Sequence, residues 1–181
     1  GIIVDILYLD ANCLFHPQCF KVLDAFPEAS SLAFVEAKMF QRIKKYIDFL
    51  TASVQPQSQL VISVDGSAPA AKIFQQRLRR FKSMEDRKLY NAIKERHGKT
   101  TSTLWHNTCI TPGTDFMERL HIFLTKAYKG KGKVKVIISS YHEPGEGEHK
   151  ILQHLKANSM DKTCHLWSGR RFDFPCLSQS T

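Results

Sequence analysis

Carboxylates stand at the ends of three separate apolar runs: Leu9-Asp10 closes the first, Val64-Asp65 the second, and the third turns into Pro144-Gly145-Glu146-Gly147-Glu148. If those runs are strands of one open α/β sheet, the acids gather at its carboxyl edge, where such sheets collect functional groups. Hard divalent cations such as Mg2+ or Mn2+ take oxygen ligands of this kind. A two-metal site for phosphodiester hydrolysis is the chemistry that follows. Taken singly, an Asp behind a strand is as readily a turn former or a helix cap, and Glu146 or Glu148 could complement a helix dipole. The recurrence at three strand ends favours a shared site.

A second constellation is Lys72, Gln76, Arg79 and Arg80, spaced i, i+4, i+7 and i+8. On a helix these donors share one face, and Arg forks bind phosphate oxygens bidentately. The alternative is a solvated basic face, but this helix follows Asp65 directly, which puts its donors beside the acids. His16 comes soon after Asp10 and can stack on a base or donate to a phosphate; a lone histidine is also often structural. Gly98-Lys99-Thr100 resembles the end of a phosphate-binding loop, yet Ile93 holds the place of the required first glycine, so that reading fails.

The elements that must position these groups are four apolar, β-branched-rich runs, Ile2 to Leu9, Leu60 to Val64, Val134 to Ser139 and Thr163 to Trp167. Between them, helical periodicity covers Ser31 to Leu50, Ala70 to His97, Thr114 to Tyr128 and Glu146 to Ala157. This alternation predicts an α/β fold, a mainly parallel sheet flanked by helices. Pro112-Gly113-Thr114 reads as a turn into a helix start, and Lys129 to Lys133 as a flexible basic loop.

The 181 residues, 43% hydrophobic, suit one core. No apolar run approaches a bilayer span and the start lacks the layout of a secretory signal, which predicts a soluble intracellular protein, nuclear or cytoplasmic. Cys13, Cys19, Cys109, Cys164 and Cys176 show no zinc-module spacing and read as reduced thiols. A formal charge of +9 points to a polyanionic partner such as nucleic acid.

The blocks Tyr8-Leu9-Asp10-Ala11-Asn12, Val64 to Lys72, Gln75 to Phe81, Ile110 to Thr114 and Pro144 to Lys150 together resemble the N-terminal nuclease region of the Xrn/Rat family of 5′→3′ exoribonucleases. The resemblance runs to about Ser168. It implies a PIN-like, flap-nuclease-type core that degrades RNA bearing a 5′ monophosphate to mononucleotides with two divalent metals, Mg2+ or Mn2+. By position it implies Asp10, Asp65, Glu146 and Glu148 as catalytic metal-site acids, Lys72, Gln76, Arg79 and Arg80 as the 5′-phosphate pocket, and His16 as the partner of the first base.

The departures from the family pattern lie at the two ends. The segment that normally precedes the first strand is absent, so the chain reads as a fragment. Where the family carries Gly-Leu-Asp-Ala-Asp-Leu-Ile after the fourth strand, this chain has Gly169-Arg170-Arg171-Phe172-Asp173-Phe174-Pro175, with a cation at Arg171 where an acid belongs. A neighbouring reading frame through these codons is compatible with the family sequence. The expected organisation is therefore a nuclease domain over residues 1–168 and an aberrant tail over 169–181, the product of a frameshift, a splice event or a misassigned gene. The leading function is the exoribonuclease. A catalytically silent RNA 5′-end-binding module is the alternative from another class, and a flap-type DNA nuclease is disfavoured by the Gln75 to Phe81 block.

Overall fold

The computed structural model describes residues 3–130, 132–158, 162–169 and 175–176. The elements run β1 (Ile6–Asp10), α1 (Ala11–Ala25), α2 (Leu32–Val54), β2 (Gln59–Ser63), α3 (Ala70–Arg96), α4 (Asp115–Tyr128), β3 (Lys135–Ser139), α5 (Gly147–Asn158), β4 (Cys164–Trp167) and β5 (Pro175–Cys176), with a 3-10 turn at Asn107–Cys109. The sheet order is β3-β2-β1-β4-β5; β1 to β4 are parallel and β5 joins antiparallel to β4. The α/β class expected from the alternation of strands and helices is what the chain adopts.

Burial on both faces explains why β1 is an unbroken apolar run. Ile6, Leu7, Tyr8 and Leu9 are fully buried, and burying such side chains stabilises by about 2 kcal/mol each. Leu7 and Leu9 join a large core with α1, α2 and α4, while Ile6 and Tyr8 face Val61, Ile151 and Cys164. The strand begins later than the apolar run implied, at Ile6. Just before it, the Asp5 carboxylate accepts the Thr163 N–H at 2.9 Å and ties the entry of β1 to that of β4.

α1 escaped the sequence reading because its periodicity is weak and Pro17 sits inside it. Pro removes one helical donor. Burial of Leu14, Phe15, Cys19, Val22 and Leu23 nonetheless holds the helix against the sheet. The starts of α2 and α4 obey capping chemistry: the Ser31 hydroxyl accepts the Phe34 N–H and the Thr114 hydroxyl accepts the Met117 N–H. Arg119 on α4 donates to both oxygens of the largely buried Glu36 on α2, at 2.8 to 3.1 Å, locking these two helices together. Among the described residues, no helix is long and apolar enough to cross a membrane.

Candidate active site

Parallel strands in register deliver their carboxyl ends to one edge. Asp10 pairs beside Ser63 and Ser63 beside Ser139, so the residues that follow each strand are neighbours. The loops after β2 and β3 are then zipped together. Gly66 N–H donates to Gly145 O at 2.9 Å, Gly145 N–H to Ser67 O at 3.0 Å, and Val64 N–H to Ser139 O at 2.9 Å. A β-carbon on Gly66 would lie 1.9 Å from the Glu143 carbonyl oxygen, which explains the glycine behind Asp65. Gly147 is enclosed in the same way, with the Oδ1 atoms of Asp65 and Asp10 at 3.2 and 3.3 Å from where its β-carbon would be. Its N–H donates to Asp65 at 2.6 Å.

Beneath this rim lies Lys150, only 7% exposed. Its ammonium donates to Val64 O and Ser140 O, both at 2.8 Å, bridging the exits of β2 and β3 one residue before Asp65. Burial depresses its pKa, against the opposing pull of Glu143 and Asp65. A buried cation here offsets part of the repulsion among the acids above it.

That repulsion shows in the acids themselves. Burial raises the Asp10 carboxyl to about 6; a hydrogen bond from the Cys13 thiol opposes the rise, and the charges of Asp65 and Glu148 add to it. Burial also raises Asp65, with the Gly147 N–H opposing and Glu146 reinforcing. The Asp10 Oδ1 atom is buried without a hydrogen-bond partner.

One cavity of about 400 Å³ is lined by Asp10, Asp65, Glu146 and Glu148 together with Gln76, Arg79 and His16. The two constellations expected from the sequence therefore meet. Lys72 does not line it: its ammonium pairs with Glu146 at 2.6 Å at the margin. The side chain of Arg80 and the expectation placed on Arg171 lie outside the described residues. Burial holds the His16 imidazole below its usual range.

The cavity also contains groups the sequence reading passed over. Asn12 accepts the Asp65 N–H at 3.0 Å and joins the ends of β1 and β2. Phe20 stands one helical turn after His16, 6.5 Å between ring centres. Ser83 continues the face of Lys72, Gln76 and Arg79, and accepts a 2.7 Å hydrogen bond from the buried Asn107. Ser83 was legible from spacing; Phe20 required knowing that α1 exists.

The donor chemistry suits a hard cation: several carboxylates, one with a buried oxygen lacking a partner, in which Asp65 and Glu148 raise Asp10 and Glu146 raises Asp65. Among the described residues, no three acids, histidines or cysteines are drawn together into a metal-ligand cluster.

Residues 1–169 match the family described as XRN 5′-3′ exonuclease N-terminus. The chain is similar to "5'-3' exoribonuclease 2" of Arabidopsis thaliana, 37% identical with 98% of this chain and 19% of that protein covered. It is 36% identical to "5'-3' exoribonuclease 2" of Debaryomyces hansenii, over 87% of this chain and 17% of the relative. It is also 35% identical to "5'-3' exoribonuclease 1" of Homo sapiens, over 84% and 9% respectively. The matched region thus spans less than a fifth of the length of these relatives.

Proposed function

The chain belongs to the XRN 5′-3′ exonuclease N-terminus family, and on that premise we propose that it carries the catalytic-site half of a metal-dependent 5′→3′ exoribonuclease acting on 5′-monophosphorylated RNA. The observation that supports this reading best is that one cavity is lined both by the four acids and by Gln76 and Arg79.

The Arg79 fork and the Gln76 amide bind the oxygens of a terminal phosphate, a role that the family resemblance extends to Arg80. Lys72, drawn to Glu146 in the free protein, exchanges that carboxylate for the phosphate. His16, flanked by Phe20, takes the first base by stacking, and its depressed pKa keeps the ring neutral for that contact. Asp10, Asp65, Glu146 and Glu148 would hold Mg2+ or Mn2+, and the bound ion would supply an acidified water and charge stabilisation at the scissile phosphate. The confined phosphate pocket excludes capped ends. Each cut exposes a new terminal phosphate for the same donors, and the products are mononucleotides.

A second reading, a silent RNA 5′-end-binding module, is favoured by the Lys72–Glu146 pair and by the lack of a gathered ligand cluster among the described residues. One experiment separates the two. RNA labelled on its 5′ monophosphate, and a matched 5′-hydroxyl RNA, are incubated with the chain and Mn2+. Release of labelled mononucleotide that stops with EDTA or Asp65→Ala supports the enzyme. Binding selective for the monophosphate and lost in Arg79→Ala, with no release, supports the silent module. The absence of both overturns the site.

A further inference from the structure

β3 is the outer strand of the sheet on the side away from β4, and among the described residues nothing pairs with its far edge. Lys135 N–H donates inward to Ser58 O, and Ser139 O accepts from Val64 N–H. Main-chain groups alternate in direction along a strand, so those of Val136 and Ile138 point off the edge. Beside them lies a cavity of about 660 Å³, lined by His121, Thr125 and Tyr128 of α4, by Lys129, Gly130, Gly132, Lys133 and Val134 between α4 and β3, and by Lys135, Val136 and Ile138. It shares no lining residue with the candidate active site. Its floor is apolar, since Val134, Val136 and Ile138 pack against the main core.

Its rim is cationic. Lys129 and Lys133 are exposed on the cavity side. Lys135 also lines the cavity, and its charge reaches the other face, where, after burial, it contributes most to holding His154 below its usual range. The edge is therefore flanked by positive charge on both faces. Lysines on an edge strand repel a second copy of the same edge and attract an acidic strand. RNA fits less well, because the groove floor is aliphatic and both rings that line it are engaged: Tyr128 by Lys44 over the ring and by Asp48 at the hydroxyl, and His121 edge-on against His142 at 5.6 Å.

We infer that the β3 edge and its lysine-rimmed groove form a docking site for an acidic, extended polypeptide segment, which adds to the sheet as a further strand and sets alternate apolar side chains on Val134, Val136 and Ile138. This site is independent of the nuclease reading.

The test uses a fluorescein-labelled peptide of alternating valine and glutamate, the same peptide with lysine for glutamate, and an oligouridylate, each titrated against the whole chain by anisotropy. Two variants accompany it: Val136→Pro, which removes an outward donor that β2 does not use, and the surface pair Lys129→Glu with Lys133→Glu. The expected result is binding of the acidic peptide alone, weakened about tenfold or more by either variant, with slowed amide exchange at Val136 and Ile138. Loss only in the charge-reversed variant, with Val136→Pro unchanged, would overturn strand addition. Tighter binding of oligouridylate would make this an RNA surface and overturn the proposal, as would the absence of peptide binding.

Discussion

The two walls of the candidate site are built by opposite means. The acidic wall is made of strand ends and loops whose main chains bond to one another, Gly66 to Gly145 and Val64 to Ser139 among them, with the side chains of Asp65, Lys150 and Ser63 adding bonds across more than 80 positions of sequence. The basic wall rides on α3, a 27-residue helix whose Phe74, Leu78 and Phe81 are 70%, 54% and 64% exposed. What moors α3 is largely polar: Arg87 and Lys94 on Asp24, Arg87 stacked on Phe20, and Ser83 on Asn107. The acidic wall is thus part of the cooperative fold, while the basic wall is an attachment that can shift without unfolding the sheet.

Lys150→Met should be the most damaging change. It leaves two buried carbonyls unpaired and removes the cation beneath the acids, with an expected loss of about 3 kcal/mol in chemical denaturation. A loss below about 1 kcal/mol would show that the loops hold each other without it. Gly66→Ala forces a methyl onto the Glu143 carbonyl and should cost about 2 kcal/mol, with faster amide exchange at Gly66 and Gly145. Unchanged exchange there would remove the zipper from the account.

The basic wall should respond more weakly. Burial pushes the Asp24 carboxyl up, but the Lys94 hydrogen bond and the charges of Arg87 and Lys94 outweigh it and hold it below the usual range. Its contribution is therefore complete above the ordinary carboxylate pKa and fades as pH falls through the lowered value. Asp24→Asn should cost no more than about 1 kcal/mol at neutral pH and flatten stability in that acidic window; an unaltered acid profile would place the mooring elsewhere. Arg79→Ala should move stability by less than about 0.5 kcal/mol while removing selective binding of 5′-monophosphate RNA. Retained selectivity would take Arg79 out of the pocket.

The fold was legible wherever burial imposed a period. Four strands, four helices and the parallel arrangement followed from apolar runs and caps. α1 did not, because its buried stripe includes the polar Gln18 while Cys13, Phe20 and Ala25 lie outside it, which blurs the period, and Pro17 sits inside the helix. At the site, residue type and spacing revealed the acids and the α3 face, since charge at a strand end or along one helix stripe is a local pattern. Asn12, Asn107 and the bridging role of Lys150 depend on partners 53, 24 and 86 positions away. Such long-range pairings leave no trace in a local pattern.

The sheet order also sets when the molecule can assemble. β1, made first, lies in the middle, flanked by β2 and by β4, and Asp5 finds its partner Thr163 only 158 positions later. A nascent chain would expose the second edge of its most apolar strand until nearly all of these residues have been synthesised. Such non-local pairing slows folding and invites aggregation meanwhile. Recombinant yield should therefore depend more on temperature and chaperone supply during synthesis than on the stability of the finished fold.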